Sequence, residues 1–340
     1  MSITNISRHS LFHWASATLL VALNWGCTPQ TPSDSANSSA ETKIPTVAVT
    51  QIVEHPALDA ARDGIQDELN AAGYKPGESL TWKWESAQGS PATAAQIANT
   101  FVAEQPDAIV AIATPSAQAV VAANSDIPVI FSAVTDPVGA KLVESLEQPG
   151  GLVTGVTDLS PVDKHVELMQ DITPNLNNIG VVYNAGESNA VSLVELLKAN
   201  AEQQGLSVVE ATVANSSAVA EATRSLVGKV DAIYVPTDNT VVSALESLLQ
   251  VAIDNQIPVY SGDTASVERG AIASLGFDYY DVGRQTGKQV VRVLNGEAPG
   301  DLPVESVETL QLYVNPPSAK KMGVTLPASI LEQADITIEE

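Results

Sequence analysis

One short frame occurs twice in the chain. Asp107-Ala108-Ile109 opens a stretch that closes on Ile127-Pro128-Val129, and Asp231-Ala232-Ile233 opens another that closes on Ile257-Pro258-Val259. The landmarks stand 20 residues apart in the first stretch and 26 in the second, with a helical pattern between two apolar runs in each. Solenoid repeats recur every 20–50 residues, whereas these copies lie more than 100 residues apart, so a whole α/β unit is duplicated.

The surrounding sequence extends each copy. Apolar runs predict strands at 45–50, 79–85, 108–113 and 129–133, alternating with helices at 57–72, 92–104 and 116–123. The alternation restarts after Asp158, with strands at 179–183 and 207–211 and helices at 190–204 and 218–226. A βαβαβ order implies a parallel sheet with helices on both faces. The expected fold is therefore α/β: two doubly wound parallel-sheet lobes joined by a hinge. The expected lobes are 44–157 plus about 280–310, and 158–279 plus about 311–340. Hydrophobic residues form 44% of the chain and aromatics 4%, with Ala and Val prominent, which suits strands covered on both faces.

Residues 1–27 differ from the rest, holding Arg8 as their one basic residue and no acid. Leu11–Leu23 has the length of a signal-peptide core and is too short to span a bilayer. The single cysteine, Cys27, follows Gly26 and fits a lipidation site, although Asn24 stands where such a signal carries Leu. Residues 28–43 read as a disordered tether rich in Ser, Thr, Pro and Ala. The expectation is an exported lipoprotein, anchored by its lipid and facing the periplasm or cell exterior.

A formal charge of −24 excludes a nucleic-acid reader, which needs a basic surface, and disfavours polyphosphate substrates. No GxSxG elbow, GxGxxG fingerprint or P-loop is present, and His55 and His165 have no metal-binding partner motif. Neither cofactor, metal nor catalytic residue is expected. What remains is a set of polar strand-to-helix junctions: Thr114-Pro115-Ser116, Thr135-Asp136, Asn184 with Glu187-Ser188-Asn189, Thr237-Asp238-Asn239, and Asp263. Such residues cap helices anywhere. In facing α/β lobes, however, the same loops converge on one crevice beyond the carboxyl ends of the strands. Hydroxyls and helix N-termini suit an anion and carboxylates suit a cation, which together match a zwitterion such as an amino acid. Gln51 and His55, after the first strand, either reach this crevice or cap their own loop. Tyr279-Tyr280 is either hinge packing or a cleft wall, and Trp82 and Trp84 pack an edge.

The segments VTQIVEHPALD, AIATPSAQA, VIFSAVTDPVGAKLV, PGGLVTGVTD, DAIYVPTDNTVVSALE and DYYDVGRQTG run across about residues 44–330. Together they resemble the substrate-binding proteins of ABC importers of the tryptophan/tyrosine-type uptake group, which have the type I periplasmic binding fold. The resemblance implies two lobes joined by three crossings, a ligand enclosed between them, and delivery to a permease driven by a separate ATPase. It also implies an aromatic amino acid as substrate. Thr114–Ser116 would hold its carboxylate, and Asp238 or a neighbouring acid its amine. A monomer is expected. A sensory protein docking on a receptor, or an exported enzyme, would use the same scaffold.

Overall fold

The computed structural model describes residues 43–124 and 126–339; the signal segment, Cys27 and the tether up to residue 42 lie outside the described residues. The chain first forms β1 (Thr46–Gln51), α1 (Pro56–Ala71), β2 (Thr81–Ser86), α2 (Pro91–Glu104), β3 (Ala108–Ile112), α3 (Thr114–Ala123), β4 (Val129–Ser132) and β5 (Val153–Thr157). It continues through α4 (Val162–Ile172), β6 (Asn178–Tyr183), α5 (Ser188–Gln203), β7 (Ser207–Thr212), α6 (Val219–Leu226) and β8 (Ala232–Val235). Next come α7 (Asn239–Val242), α8 (Leu245–Asp254), β9 (Val259–Ser261), α9 (Ala265–Glu268) and β10 (Ala273–Gly276). The last part holds α10 (Tyr279–Leu294), β11 (Glu305–Ser306), β12 (Gln311–Val314), α11 (Pro316–Lys321), α12 (Ala328–Gln333) and β13 (Ile336–Thr337).

Two sheets result, in the orders β11-β5-β4-β3-β1-β2 and β13-β12-β10-β9-β8-β6-β7. The central strands β3, β4, β8 and β9 are buried along their whole length, because helices cover both faces. The edge strand β2 (TWKWES) is instead half open, and its Lys83 pairs with Glu104 of α2 at 2.7 Å. One departure from the expected parallel arrangement is β12, which runs antiparallel to β10. The chain reaches it by a crossing at 307–310 and lays it beside the free edge of β10, as an appended strand on a parallel sheet.

Each lobe has its own core. Ile65, Ile109, Ile130 and Phe131 anchor the first, and Met169, Ile179, Leu193 and Tyr234 the second. The chain passes between lobes three times, at 158–161, 277–278 and 307–310.

The helix after the second crossing, α10, packs against α1 and the first sheet. The two helices meet through glycines. A Cβ on Gly283 would lie 2.0 Å from the Ala61 carbonyl oxygen, and one on Gly64 would lie 2.2 Å from that of Tyr280. The Gly283→Ala change gains about 1 kcal/mol of helix propensity. Forcing two backbones apart costs about 1–3 kcal/mol or more. The expected net effect is a melting temperature lower by several degrees, read by calorimetry; an unchanged or raised value would contradict this helix contact.

Candidate ligand-binding cleft

Within each sheet the strand order reverses at one point, between β1 and β3 in the first lobe and between β6 and β8 in the second. At such a switch point the loops leave in opposite directions and open a crevice beyond the strand ends. The two crevices face each other across a small cavity lined by residues of both lobes.

From the first lobe, the β1–α1 loop supplies His55, and α1 adds Ala57 and Leu58. His55 occupies the extended N-cap position, with Pro56 fixing the start of the helix. Ala133 and Thr135 follow β4. Backbone strain gathers at these strand ends: Ala133 has φ 54°, and Ala113 has φ 73° with ψ 153°, a region otherwise left to glycine. From the second lobe come Asn189 of α5, Thr237, Asn239 and Val242 around α7, and Asp263 after β9. The first crossing contributes Asp158, and the start of α10 contributes Tyr279.

The polar groups of this wall fall into two kinds. Asp158 has a partner at each oxygen: Tyr279 Oη donates to one at 2.7 Å and Thr135 Oγ1 to the other at 3.1 Å. Burial still raises its pKa, while the same burial and the Asp158 charge push the Tyr279 hydroxyl well up. Asp263 accepts from Ser266 N–H at 2.8 Å and Ser266 Oγ at 2.7 Å, which caps α9 and leaves lone pairs over. By contrast, His55 Nδ1, Asn189 Oδ1 and Thr237 Oγ1 are buried with no hydrogen-bond partner among the described residues. Burial lowers the His55 pKa, against the pull of Asp263. No Lys or Arg lines the cavity among the described residues.

Of the residues expected from sequence, Thr135, Asn189, Thr237, Asn239 and Asp263 stand on this wall. Pro115, Asn184 and Glu187 line a wider groove further out, which meets the cavity at Asn239. Thr114 and Ser116 are buried at the start of α3, with hydroxyls lacking partners among the described residues, and belong to neither lining. Gln51 stays in its own loop, where its amide donates to Val53 O and Asp59 at 2.9 Å each. Arg62 reaches Gln51 from α1 and stacks over the Trp84 ring at 4.7 Å.

Asp136 and Ser188 join the lobes to each other. Ser192 Oγ donates to Asp136 at 3.2 Å, and Gln118 Nε2 donates to Ser188 Oγ at 3.3 Å. Asp238 is fully buried and off the cavity lining; its oxygens accept from the backbone N–H groups of Val241 and Asn184. It therefore caps α7 and ties down the β6–α5 loop, and Asp158 and Asp263 are the carboxylates at the cavity. Burial and the neighbouring Glu187 push Asp238 up to about 8. Asp158 was not expected from sequence, and the Tyr279-Tyr280 pair divides between its two readings. Tyr279 walls the cavity, while Tyr280 donates to Asp67 of α1 at 2.9 Å.

Two α/β lobes that close their switch points over one small polar cavity define a hinged solute-binding protein. The chain belongs to the ABC transporter substrate binding protein family, whose sequence profile matches residues 46–338. Proteins of this family bind small molecules outside the cytoplasm and work with an ABC permease. Among the described residues no helix is long and apolar enough to cross a membrane.

A tyrosine-binding protein of Clostridioides difficile is 40% identical over 307 residues, covering 89% of each chain. An ABC domain in complex with L-Trp from Streptococcus pneumonia is 39% identical, with a TM-score of 0.84 over 86% of this chain and 99% of that one. The ligand-free, open structure of a substrate binding protein from Clostridium difficile is 40% identical and covers 87% and 100% of the two chains, yet its TM-score is 0.66. At equal sequence distance the present lobes match the arrangement of the L-Trp complex better, in keeping with the direct bonds between α3, α5 and the β4 loop.

Proposed function

We propose that this protein captures an aromatic amino acid, Trp, Tyr or Phe, in the cavity between its lobes and hands it unchanged to an ABC permease driven by a separate ATPase. The observation that carries the reading is the cavity wall itself. It combines two carboxylates with buried polar atoms whose hydrogen bonds are unmade, and with the apolar surfaces of Leu58, Val242 and Tyr279. An unpaired buried polar atom costs about 1–3 kcal/mol, so such atoms gather where a ligand completes them. The acids suit the ammonium group. The tyrosine-binding relative and the L-Trp complex support the aromatic class.

In this reading Cys27 carries a lipid, the segment to residue 43 tethers a monomeric body to the membrane, and Asp158 and Asp263 bind without catalysing. The test is a thermal-shift screen of residues 43–340 against amino acids, sugars, nucleosides and short peptides, since a ligand at 100 times its Kd stabilises by about 2.7 kcal/mol. Shifts confined to Trp, Tyr or Phe are expected. A shift with a sugar alone would discard the substrate class.

A further inference from the structure

We propose that Glu187 is a positioning residue: it turns the Asn189 amide oxygen toward the cavity and so builds, with Asp263, the acceptor for the ligand's ammonium group. The proposal rests on the reading of the ligand as an amino acid.

Glu187 sits at the N-cap of α5, 7% exposed and outside the cavity lining. Five donors converge on its carboxylate. One oxygen accepts from Asn239 N–H at 3.1 Å, Asn239 Nδ2 at 2.7 Å and Asn189 Nδ2 at 3.3 Å. The other accepts from Thr240 N–H at 3.0 Å and Thr240 Oγ1 at 2.7 Å. An ionised carboxylate only accepts, so each neighbour must turn a donor toward it.

For Asn189 this choice decides the chemistry of the cavity. Its amide nitrogen also donates to Thr237 O at 2.8 Å, so both of its N–H bonds are committed to protein groups. The oxygen is left over, buried and without a partner among the described residues, on a residue that lines the cavity. An amide's orientation is otherwise ambiguous; here two partners that can only accept, the Glu187 carboxylate and the Thr237 carbonyl, fix it together. The second-lobe wall thus offers Asn189 Oδ1 and the Asp263 carboxylate, two acceptors with no Lys or Arg beside them among the described lining residues. An ammonium brings three donors and one positive charge, and it answers both. A carboxylate placed there would meet lone pairs only.

The test compares calorimetric affinities for L-tyrosine and for its counterpart without the amine, 3-(4-hydroxyphenyl)propionate. Wild type is expected to prefer the amine-bearing ligand by roughly 100-fold or more, the scale of a buried charge partner. In E187A the Thr237 carbonyl alone still holds the Asn189 amide, which turns more freely, and the preference shrinks to roughly 10-fold or less; N189A, which removes the acceptor itself and leaves four donors on Glu187, shows the same loss. E187Q, whose amide oxygen can still receive both asparagine amides, recovers most of the preference. A purely structural role would lower the melting temperature and weaken both ligands alike. A wild-type preference retained in both E187A and N189A would overturn the proposal. Failure of wild type to bind any amine-bearing solute would overturn the amino-acid reading beneath it.

Discussion

Replacing Asp263 with Asn is expected to weaken aromatic amino-acid binding by about 30- to 1000-fold, corresponding to about 2–4 kcal/mol, while leaving the ligand-free fold within about 1 kcal/mol of wild type. The asymmetry follows from the two duties of the side chain. Toward its own lobe Asp263 accepts from Ser266 N–H and Ser266 Oγ. Asn caps a helix about as well as Asp, and the serine hydroxyl can rotate to meet an amide. Toward the cavity it supplies negative charge, which Asn does not. Calorimetric titration and a thermal melt of the same variant separate the two duties. Equal affinity would remove Asp263 from the site, and a collapse in melting temperature would make it a fold residue.

The second large effect concerns acid. His165 of α4 is buried against the second lobe's sheet, bonded to Tyr234 of β8 and Leu275 of β10. Its Nε2 lies 2.6 Å from the Leu275 carbonyl, which can only accept, so Nε2 carries the proton and Nδ1 accepts from Tyr234 Oη at 2.9 Å. A neutral imidazole satisfies both partners, and burial lowers its pKa from 6.5 to about 4. The folded form therefore binds the proton more weakly than the unfolded chain. Stability from this group is full above pH 6.5 and is lost as pH falls to about 4, by about 3 kcal/mol in total. His55, lowered by burial as well, acts in the same sense. Asp238, raised to about 8, acts in the opposite one: its contribution is present below 3.8 and is lost as pH rises through about 8. The difference between wild type and His165→Gln isolates the histidine. Urea midpoints at pH 7 and pH 4.5 are expected to fall further in wild type than in the variant. Parallel losses would show that His165 does not titrate in this window.

How much of this was legible in the sequence depended on what each strand is made of. Strands such as AIVAI and AIYV, covered on both faces, are unbroken apolar runs, and they stood out together with the duplicated frame around them. β5 (VTGVT) and β10 (ASLG) did not, because glycine and hydroxyl residues interrupt them. Those two strands lead into crossings between the lobes, so missing them hid Asp158 and left the role of Tyr279 open. The polar junctions were visible, yet residue type alone could not assign their duties. Asp238 and Asp263 both follow a central strand and both cap a short helix, and only packing puts one at the cavity and the other beneath it. Gln51 has the same ambiguity, resolved by Asp59 and Arg62 one turn or two along α1.

The most direct test of the central claim is a crystal structure of the protein grown with L-tryptophan or L-tyrosine. One molecule is expected between the lobes, its ammonium group at Asp263 and Asn189 and its ring among Leu58, Val242 and Tyr279. Ligand bound only in the outer groove, or lobes closed on the cavity with the amino acid absent at saturating concentration, would contradict the account.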